Sequence, residues 1–82
     1  MSQNFPLFRK YFNNKNYFKI LSENEFVEIS LIGNKVLSKK HEAKIFPDKI
    51  FISDLIEALQ HHVIKISKEE FSLMENQVNI RN

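Results

Sequence analysis

Apolar and polar positions alternate most clearly in residues 25–32. Three apolar side chains there are separated by glutamate and serine, at positions Val27, Ile29 and Leu31. This period of two predicts a half-buried strand. Gly33-Asn34 follows at once and favours the two-residue turn of a hairpin. Residues 35–46 then predict the second strand, whose polar middle is typical of a sheet edge.

Two shorter segments ahead of this hairpin also predict strands, at 6–12 and 16–21. Both contain several aromatic and β-branched side chains, which strands favour. The segment 13–16 between them is rich in asparagine and predicts a turn, because asparagine tolerates left-handed backbone geometry. A second polar turn, Ser22-Glu23-Asn24, precedes the hairpin.

The middle of the chain is less clearly patterned. Pro47-Asp48 predicts a turn, and residues 49–52 after it predict another strand. The next segment, 53–60, is open between a short helix capped by Ser53 and a continuation of that strand. We favour the strand, because the apolar run is short and β-branched. Residues 63–66 predict a last short strand.

A helix over about 68–77 is predicted by its first residues and by its periodicity. Ser67 and Glu70 have the spacing of a capping box, in which the serine hydroxyl accepts a hydrogen bond from the Glu70 N–H. Phe71, Met74 and Val78 follow at helical spacing, so one face of the helix is expected to pack on the sheet.

The predicted fold class is α+β: an antiparallel β meander of five to six strands with one C-terminal helix packed on the sheet. The connections between the strands are short, whereas parallel neighbours need a crossover of about a dozen residues or more. One small domain, 5–79, accounts for the chain, and the termini 1–4 and 80–82 are expected to fray.

Composition excludes several kinds of chemistry. The 82 residues include no cysteine and one glycine, and the net charge is +2. Without cysteine there is no disulfide, thiolate zinc site, iron–sulfur cluster or thiol nucleophile. A P-loop or a dinucleotide fingerprint needs several glycines, so no nucleotide cofactor is expected. No apolar run could span a membrane and no signal peptide is recognised, so we expect a cytoplasmic protein.

The segment 8–19 interleaves aromatic and basic side chains and supplies the candidate binding residues. Proteins that bind single-stranded nucleic acid stack bases on rings and line the phosphates with cations. The competing interpretation is that the rings belong to the core and the cations to the solvated side of a hairpin. The candidates are Phe8, Arg9, Lys10, Tyr11, Lys15, Tyr17 and Lys19.

The sequence contains little that supports metal binding or catalysis. His61 and His62 are adjacent, so in an extended chain their side chains point in opposite directions. With His41 elsewhere, the sequence contains no HExxH motif and no pair of histidines four residues apart. The acidic pair Glu69-Glu70 is explained by the start of a helix, where carboxylates are favourable. We therefore expect no metal site, no cofactor and no enzymatic activity.

The sequence thus predicts a non-catalytic domain that binds a macromolecule. Another protein, or a second copy of the chain in a homodimer, is the expected partner, because aromatic side chains make up 12% of the chain and such rings dominate interfaces. No membrane contact is expected. The alternative is weak binding of single-stranded nucleic acid through 8–19.

Overall fold

A computed structural model describes residues 4–58 and 62–81, with side chains as far as residue 78. Within these ranges five strands form one sheet in the order β4-β3-β2-β1-β5, and every neighbouring pair is antiparallel. The α+β class and the antiparallel sheet predicted from the sequence are confirmed. The elements are β1 (Leu7–Tyr11), β2 (Asn16–Ile20), β3 (Glu25–Ile32), β4 (Lys35–Glu42), α1 (Phe46–Glu57), β5 (Val63–Lys65) and α2 (Lys68–Arg81).

The first four strands follow one another as a meander. Asn14 and Gly33, in the turns of the first and third connections, have φ values of 61° and 60°. Glycine adopts this left-handed region freely and asparagine tolerates it, as the predicted turns require. The fifth strand departs from the meander, because β5 pairs with β1 at the opposite edge of the sheet from β4.

The segment after β4 is a helix, so the predicted strand at 49–52 is wrong. β4 ends at Glu42, although the sequence pattern extended that strand to residue 46, and α1 occupies 46–57. The domain therefore has two helices within the described residues instead of one. The start of 53–60 is helical as well, against the strand that we favoured, while residues 59 and 60 lie outside the described residues.

Helical packing explains why α1 forms despite its β-favouring composition. Pro47 lies in the first turn, where the missing N–H of proline costs no hydrogen bond. Ile52, Leu55 and Ile56 are buried at helical spacing against the sheet. Ala58 ends the helix in the left-handed conformation with φ 52°. Burial of this face outweighs strand propensity, which is the weaker effect.

The sheet has a separate hydrophobic cluster on each face. We call the side covered by α1 the α1 face and the side covered by α2 the α2 face. The α1 face buries Phe18, Ile20, Phe26, Ile52, Leu55, Ile56 and Val63. The α2 face buries Tyr17, Ile29, Val36 and Phe71. The small domain therefore divides its core into two thin layers, each dependent on one helix.

The start and the inner face of α2 agree with the prediction. The Ser67 hydroxyl accepts a hydrogen bond of 3.1 Å from the Glu70 N–H. Phe71 is buried in the α2-face cluster, and Met74 and Val78 pack against it. The helix continues to Arg81, beyond the predicted end near residue 77.

Candidate protein-binding surface

The outer side of α1 carries large apolar side chains that the core does not use. Phe46 is 73% exposed and Ile50 is 46% exposed. These two residues are four apart on the helix and are therefore neighbours on its surface. Ile45, immediately before the helix, is 60% exposed, and Phe51 is partly exposed. We call Ile45, Phe46, Ile50 and Phe51 the α1 patch.

A cleft lies beside this patch, between α1 and the hairpin of β3 and β4. Its volume is about 210 Å³. We call it the β4–α1 cleft, and its lining consists of Phe26, Glu28, His41, Glu42, Asp48 and Phe51. Phe51 belongs to both features, and its ring centroid lies 5.6 Å from that of Phe26. Patch and cleft are therefore continuous through Phe51.

Glu28 is held at the inner end of the cleft by three side chains. His41 Nε2 lies 3.1 Å from Glu28 Oε1, while Asn16 Nδ2 and Ser30 Oγ bond Glu28 Oε2 at 2.8 Å and 3.3 Å. The His41 ring also stacks on Phe26, with centroids 4.7 Å apart. These contacts tie β2, β3 and β4 together and give the cleft a defined shape.

This network does not have the geometry of a serine nucleophile with its base. The Ser30 hydroxyl bonds Glu28, whereas a triad places the serine hydroxyl on the histidine. Both Glu28 oxygens are already engaged by Asn16, Ser30 and His41, so the network joins the strands to one another.

The β4–α1 cleft is acidic although the chain is basic. Glu28 and Asp48 are acidic residues of its lining, which includes no lysine or arginine. Glu42 also borders the cleft, but side chains alternate along β4, so its carboxylate lies on the opposite face of the sheet from His41. Asp48 Oδ2 accepts a hydrogen bond of 3.3 Å from the backbone N–H of Lys44. Glu42 lies opposite Glu25 across the strand pair, and Lys40 offsets these like charges, since its Nζ lies 3.1 Å from Glu25 Oε2. The net charge of +2 is therefore carried elsewhere on the molecule.

No known relative guides the interpretation of this surface. Comparison of the chain with protein families, curated proteins and solved structures finds no match. Within the part of the chain that the structure describes, no three or more His, Cys, Asp or Glu side chains are grouped to hold a metal ion. Neither helix of residues 4–58 and 62–81 is long and apolar enough to cross a membrane.

The structure does not bring the residues of 8–19 together on one surface. Because side chains alternate along a strand, neighbours in β1 and β2 belong to opposite faces of the sheet. Four candidates lie on the α2 face, namely Phe8, Lys10, Tyr17 and Lys19, while Arg9 and Tyr11 lie on the α1 face. Lys15 is exposed in the turn before β2.

Arg9 is only 6% exposed, and its side chain caps the C-terminal end of α1. Arg9 Nε donates to the carbonyl of Leu55 at 2.9 Å, and Nη2 donates to that of Ile56 at 2.8 Å. These carbonyls belong to the last turn of α1, where the helix itself no longer supplies a backbone N–H donor for every carbonyl. Burial lowers the pKa of the Arg9 guanidinium, and the charge of Glu57 opposes that shift.

The neighbouring candidates also make internal contacts. Lys10 Nζ bonds Glu70 Oε2 at 2.7 Å, which ties β1 to the first turn of α2. This hydrogen bond raises the pKa of Lys10. The Phe8 ring lies 5.4 Å from that of Phe71, and Tyr17 is 6% exposed in the same cluster. These side chains hold α2 on the sheet.

Tyr11 makes the stability sensitive to alkaline pH. Burial raises the pKa of the Tyr11 phenol above its ordinary value of 10.0, and the charge of Glu28 acts in the same direction. The folded state thus favours the neutral phenol, so this contribution to stability is complete below pH 10.0 and is lost as pH rises through the folded-state pKa.

Tyr11→Phe should therefore lose less stability than the wild type when pH is raised from about 8 to about 11. Urea unfolding of both proteins across that range measures the difference. Lys10 and Lys40, whose pKa values are also raised, remain in the variant, so the comparison isolates the phenol. Equal alkaline losses would contradict the predicted role of Tyr11.

Sequence reasoning missed the α1 patch because it assigned part of that segment to a strand. In a strand at 49–52 the apolar residues would alternate between two faces. The spacing of Ile52, Leu55 and Ile56, after a proline suited to a first helical turn, was the available signal. The contact between Glu28 and His41 had no sequence signal, because it depends on the register of β3 with β4.

Proposed function

We propose that this chain is a non-catalytic, cytoplasmic binding module that recognises another protein through the α1 patch. The observation that carries the proposal is the exposure of Phe46 and Ile50 on the outer side of a helix whose inner side already fills the core. Exposed apolar groups that are contiguous on a surface mark interaction sites. Aromatic side chains such as Phe46 are enriched in interfaces between proteins.

Charged groups of both signs surround the patch. Asp48 lies in the first turn of α1, and Lys44 and Lys49 are exposed beside it. A partner protein with complementary charges would pair with these groups and fix the register of the contact.

The contacts of residues 8–19 support protein binding over nucleic-acid binding. A stacking platform needs rings on an open sheet face. Phe8 and Tyr17 pack beneath α2 instead, and Lys10 is paired with Glu70. The acidic lining of the β4–α1 cleft would also repel phosphate groups.

Selection from a random peptide display library, with the full chain as bait, tests the proposal. We expect enriched peptides, once synthesised, to shift the backbone amide resonances of residues 45–51. Replacing Phe46→Ser and Ile50→Ser together should weaken their binding at least about tenfold. Leu73→Ser is the matched control, because Leu73 is 67% exposed on α2 and lies outside the patch.

Four outcomes would contradict the proposal. Enrichment of no peptide, or binding that the patch variant leaves unchanged, would remove the α1 patch as the contact surface. A dimer in sedimentation equilibrium that the patch variant dissociates would identify a second copy as the occupant. Shifts in 8–19 on addition of a single-stranded oligonucleotide, persisting at about 0.15 M salt, would favour the nucleic-acid alternative.

A further inference from the structure

We propose that the partner adds an extended, acidic segment as a further strand along the outer edge of β4. This inference rests on the proposed function and deepens it, since it states how the segment that covers the α1 patch is held. Residues 43–45 alone join β4 to α1, so the α1 patch lies at the end of this edge. Strand addition draws affinity from backbone hydrogen bonds and specificity from the side chains beside them.

β4 lies at one edge of the sheet formed by the described strands. It is eight residues long, and every residue from Lys35 to Glu42 is paired in register with β3. The strand therefore contains no bulge, and its sequence contains no proline. Bulges and prolines are two of the devices by which proteins prevent an edge strand from pairing. The edge of β4 is thus a regular template for a further strand.

Alternate residues of β4 direct their backbone groups away from β3. In an antiparallel pair, every second residue exchanges both of its backbone hydrogen bonds with the neighbouring strand. The Ala43 N–H bonds the Asn24 carbonyl at 2.7 Å, so the odd-numbered residues of β4 face β3. The even-numbered residues Ser38, Lys40 and Glu42 therefore turn their N–H and C=O groups outward, where an added strand would bond them.

An apolar side chain of the added strand would lie at the mouth of the β4–α1 cleft. Cross-strand pairing places Ile20, Phe26 and His41 in one row on the α1 face. The residue opposite His41 on an added strand would continue this row and face Phe51 across the cleft. Leu37, which lies on the same face of β4 and is 40% exposed, would take a second apolar side chain.

The charge of β4 favours acidic side chains at the remaining positions of the added strand. Lys35 and Lys39 are exposed on the α1 face, one on either side of Leu37. Glutamate or aspartate opposite each lysine would form a cross-strand pair of opposite charge. The segment thus alternates apolar and acidic residues at the positions that it directs to the α1 face.

The same lysines disfavour a second copy of the chain as the added strand. A two-fold contact pairs the strand with itself, so a residue at the axis lies opposite its own copy. Pairing centred on Lys39 or Lys40 would place ammonium against ammonium, which is destabilising. In every register the three lysines of each β4 outweigh its one glutamate. The edge therefore repels its own copy and attracts an acidic segment.

Synthetic peptides titrated into the labelled full chain and followed by NMR test the inference. The parent peptide, acetylated and amidated, is Leu-Thr-Glu-Thr-Val-Thr-Glu. Antiparallel to β4, it places its leucine and valine opposite His41 and Leu37. Its glutamates then lie opposite Lys39 and Lys35. We expect the amide proton of Ser38, which gains a hydrogen bond, to shift downfield.

Two N-methylated versions of this peptide separate strand addition from general attraction. Methyl groups on the first two threonines remove the N–H groups that face Lys40 and Ser38, and binding should weaken at least about tenfold. Methyl groups on the first glutamate and the valine remove N–H groups that face away from β4, and binding should change by less than about twofold. Equal binding of the two versions, or no binding of the parent peptide, would overturn the inference.

Proline variants of the two edge strands test the same backbone groups on the protein. Ser38→Pro removes an outward N–H from β4, where an edge strand tolerates proline, and should weaken the parent peptide at least about tenfold. Lys65→Pro is the matched control in β5. The Ile66 N–H bonds the Phe8 carbonyl at 3.2 Å, so the Lys65 N–H also points outward. Equal effects of the two prolines would overturn the inference, and if Ser38→Pro does not fold by circular dichroism, the methylated peptides decide.

Charge variants test the acidic character of the segment. Lys35→Gln with Lys39→Gln should weaken the parent peptide about threefold. Lys65→Gln with Lys68→Gln makes the same change of charge at exposed positions in and after β5 and should have little effect. Equal losses for the two pairs would overturn the acidic character.

Failure of this inference differs from failure of the proposed function. If Phe46→Ser with Ile50→Ser weakens the peptides from the display library but the two methylated peptides bind alike, the patch stands and strand addition fails. If the methylated peptides differ as expected but the patch variant leaves the parent peptide unaffected, strand addition stands and the patch fails as the contact surface.

Discussion

Phe71→Ala is expected to lower the free energy of unfolding by about 3–5 kcal/mol. Phe71 is 1% exposed and is buried on α2 with the other residues of the α2-face cluster. Truncation removes its ring contact with Phe8 and leaves a cavity that the short helix cannot close. A domain of this length has a total stability of only about 4–12 kcal/mol, so the loss is a large share. Urea unfolding followed by circular dichroism measures it.

Leu73→Ala provides the matched control for Phe71→Ala. Leu73 lies on the same helix and is 67% exposed, so its truncation should change the stability by no more than about 0.5 kcal/mol. Phe71→Leu, expected to cost about 1 kcal/mol, keeps the test informative if the alanine variant does not fold. Equal losses for Phe71→Ala and Leu73→Ala would show that α2 does not pack as described.

Arg9→Met is expected to lower the free energy of unfolding by about 2–4 kcal/mol. Methionine fills much of the volume of arginine but donates no hydrogen bond. The carbonyls of Leu55 and Ile56 would lose the guanidinium donor at the buried end of α1, and Leu55 would keep only the 3.3 Å bond from the Ala58 N–H. Arg9 also donates to the carbonyl of Phe8 at 2.8 Å. Urea unfolding gives the loss, and faster amide hydrogen exchange in α1 locates it.

Lys65→Met is the matched control for Arg9→Met. Lys65 lies directly opposite Arg9 in the pairing of β1 with β5 and is exposed. Loss of its charge should change the stability by at most about 0.5 kcal/mol. Arg9→Lys should fall between the two, because one ammonium cannot match the forked donors of a guanidinium. A cost for Arg9→Met no larger than that for Lys65→Met would refute the helix-ending role.

The contacts on which these predictions depend differ in how far the sequence alone predicts them. The hairpin of β3 and β4 was predictable, because alternation in 25–32 and the Gly33-Asn34 turn are local signals. The start of α2 was predictable for the same reason, since Ser67 and Glu70 interact within one turn. The inner face of α2 followed from helical periodicity alone.

The sequence signal for α1 was ambiguous. Its isoleucine and phenylalanine residues are β-favouring, and Pro47 reads equally well as a turn or as a first helical turn. The choice is decided by burial of Ile52 and Leu55 on the α1 face and by Arg9 at the end of the helix. Those contacts join positions far apart in the chain, and local strand or helix propensity carries no information about them.

The candidate binding residues were likewise predictable from the sequence only in part. Sequence reasoning singled out 8–19 for its mixture of rings and cations, but the sequence did not say which of these side chains remain accessible. Arg9 and Tyr17 became internal because strand alternation placed them beneath helices. The α1 patch became visible only once α1 was known to be a helix with a filled inner face.

By itself, the sequence determined the α+β class, the antiparallel hairpins, the turns at 13–16, 22–24 and 33–34 and the C-terminal helix, all of which depend on local spacing. The turn predicted at Pro47-Asp48 is wrong, because both residues lie in the first turn of α1. It also excluded cysteine and glycine-rich chemistry through composition. The tertiary structure decided the state of 46–57, the position of β5 beside β1 and the acidic cleft next to the α1 patch. These features arise from burial and register between distant segments, whose free energies exceed local preference.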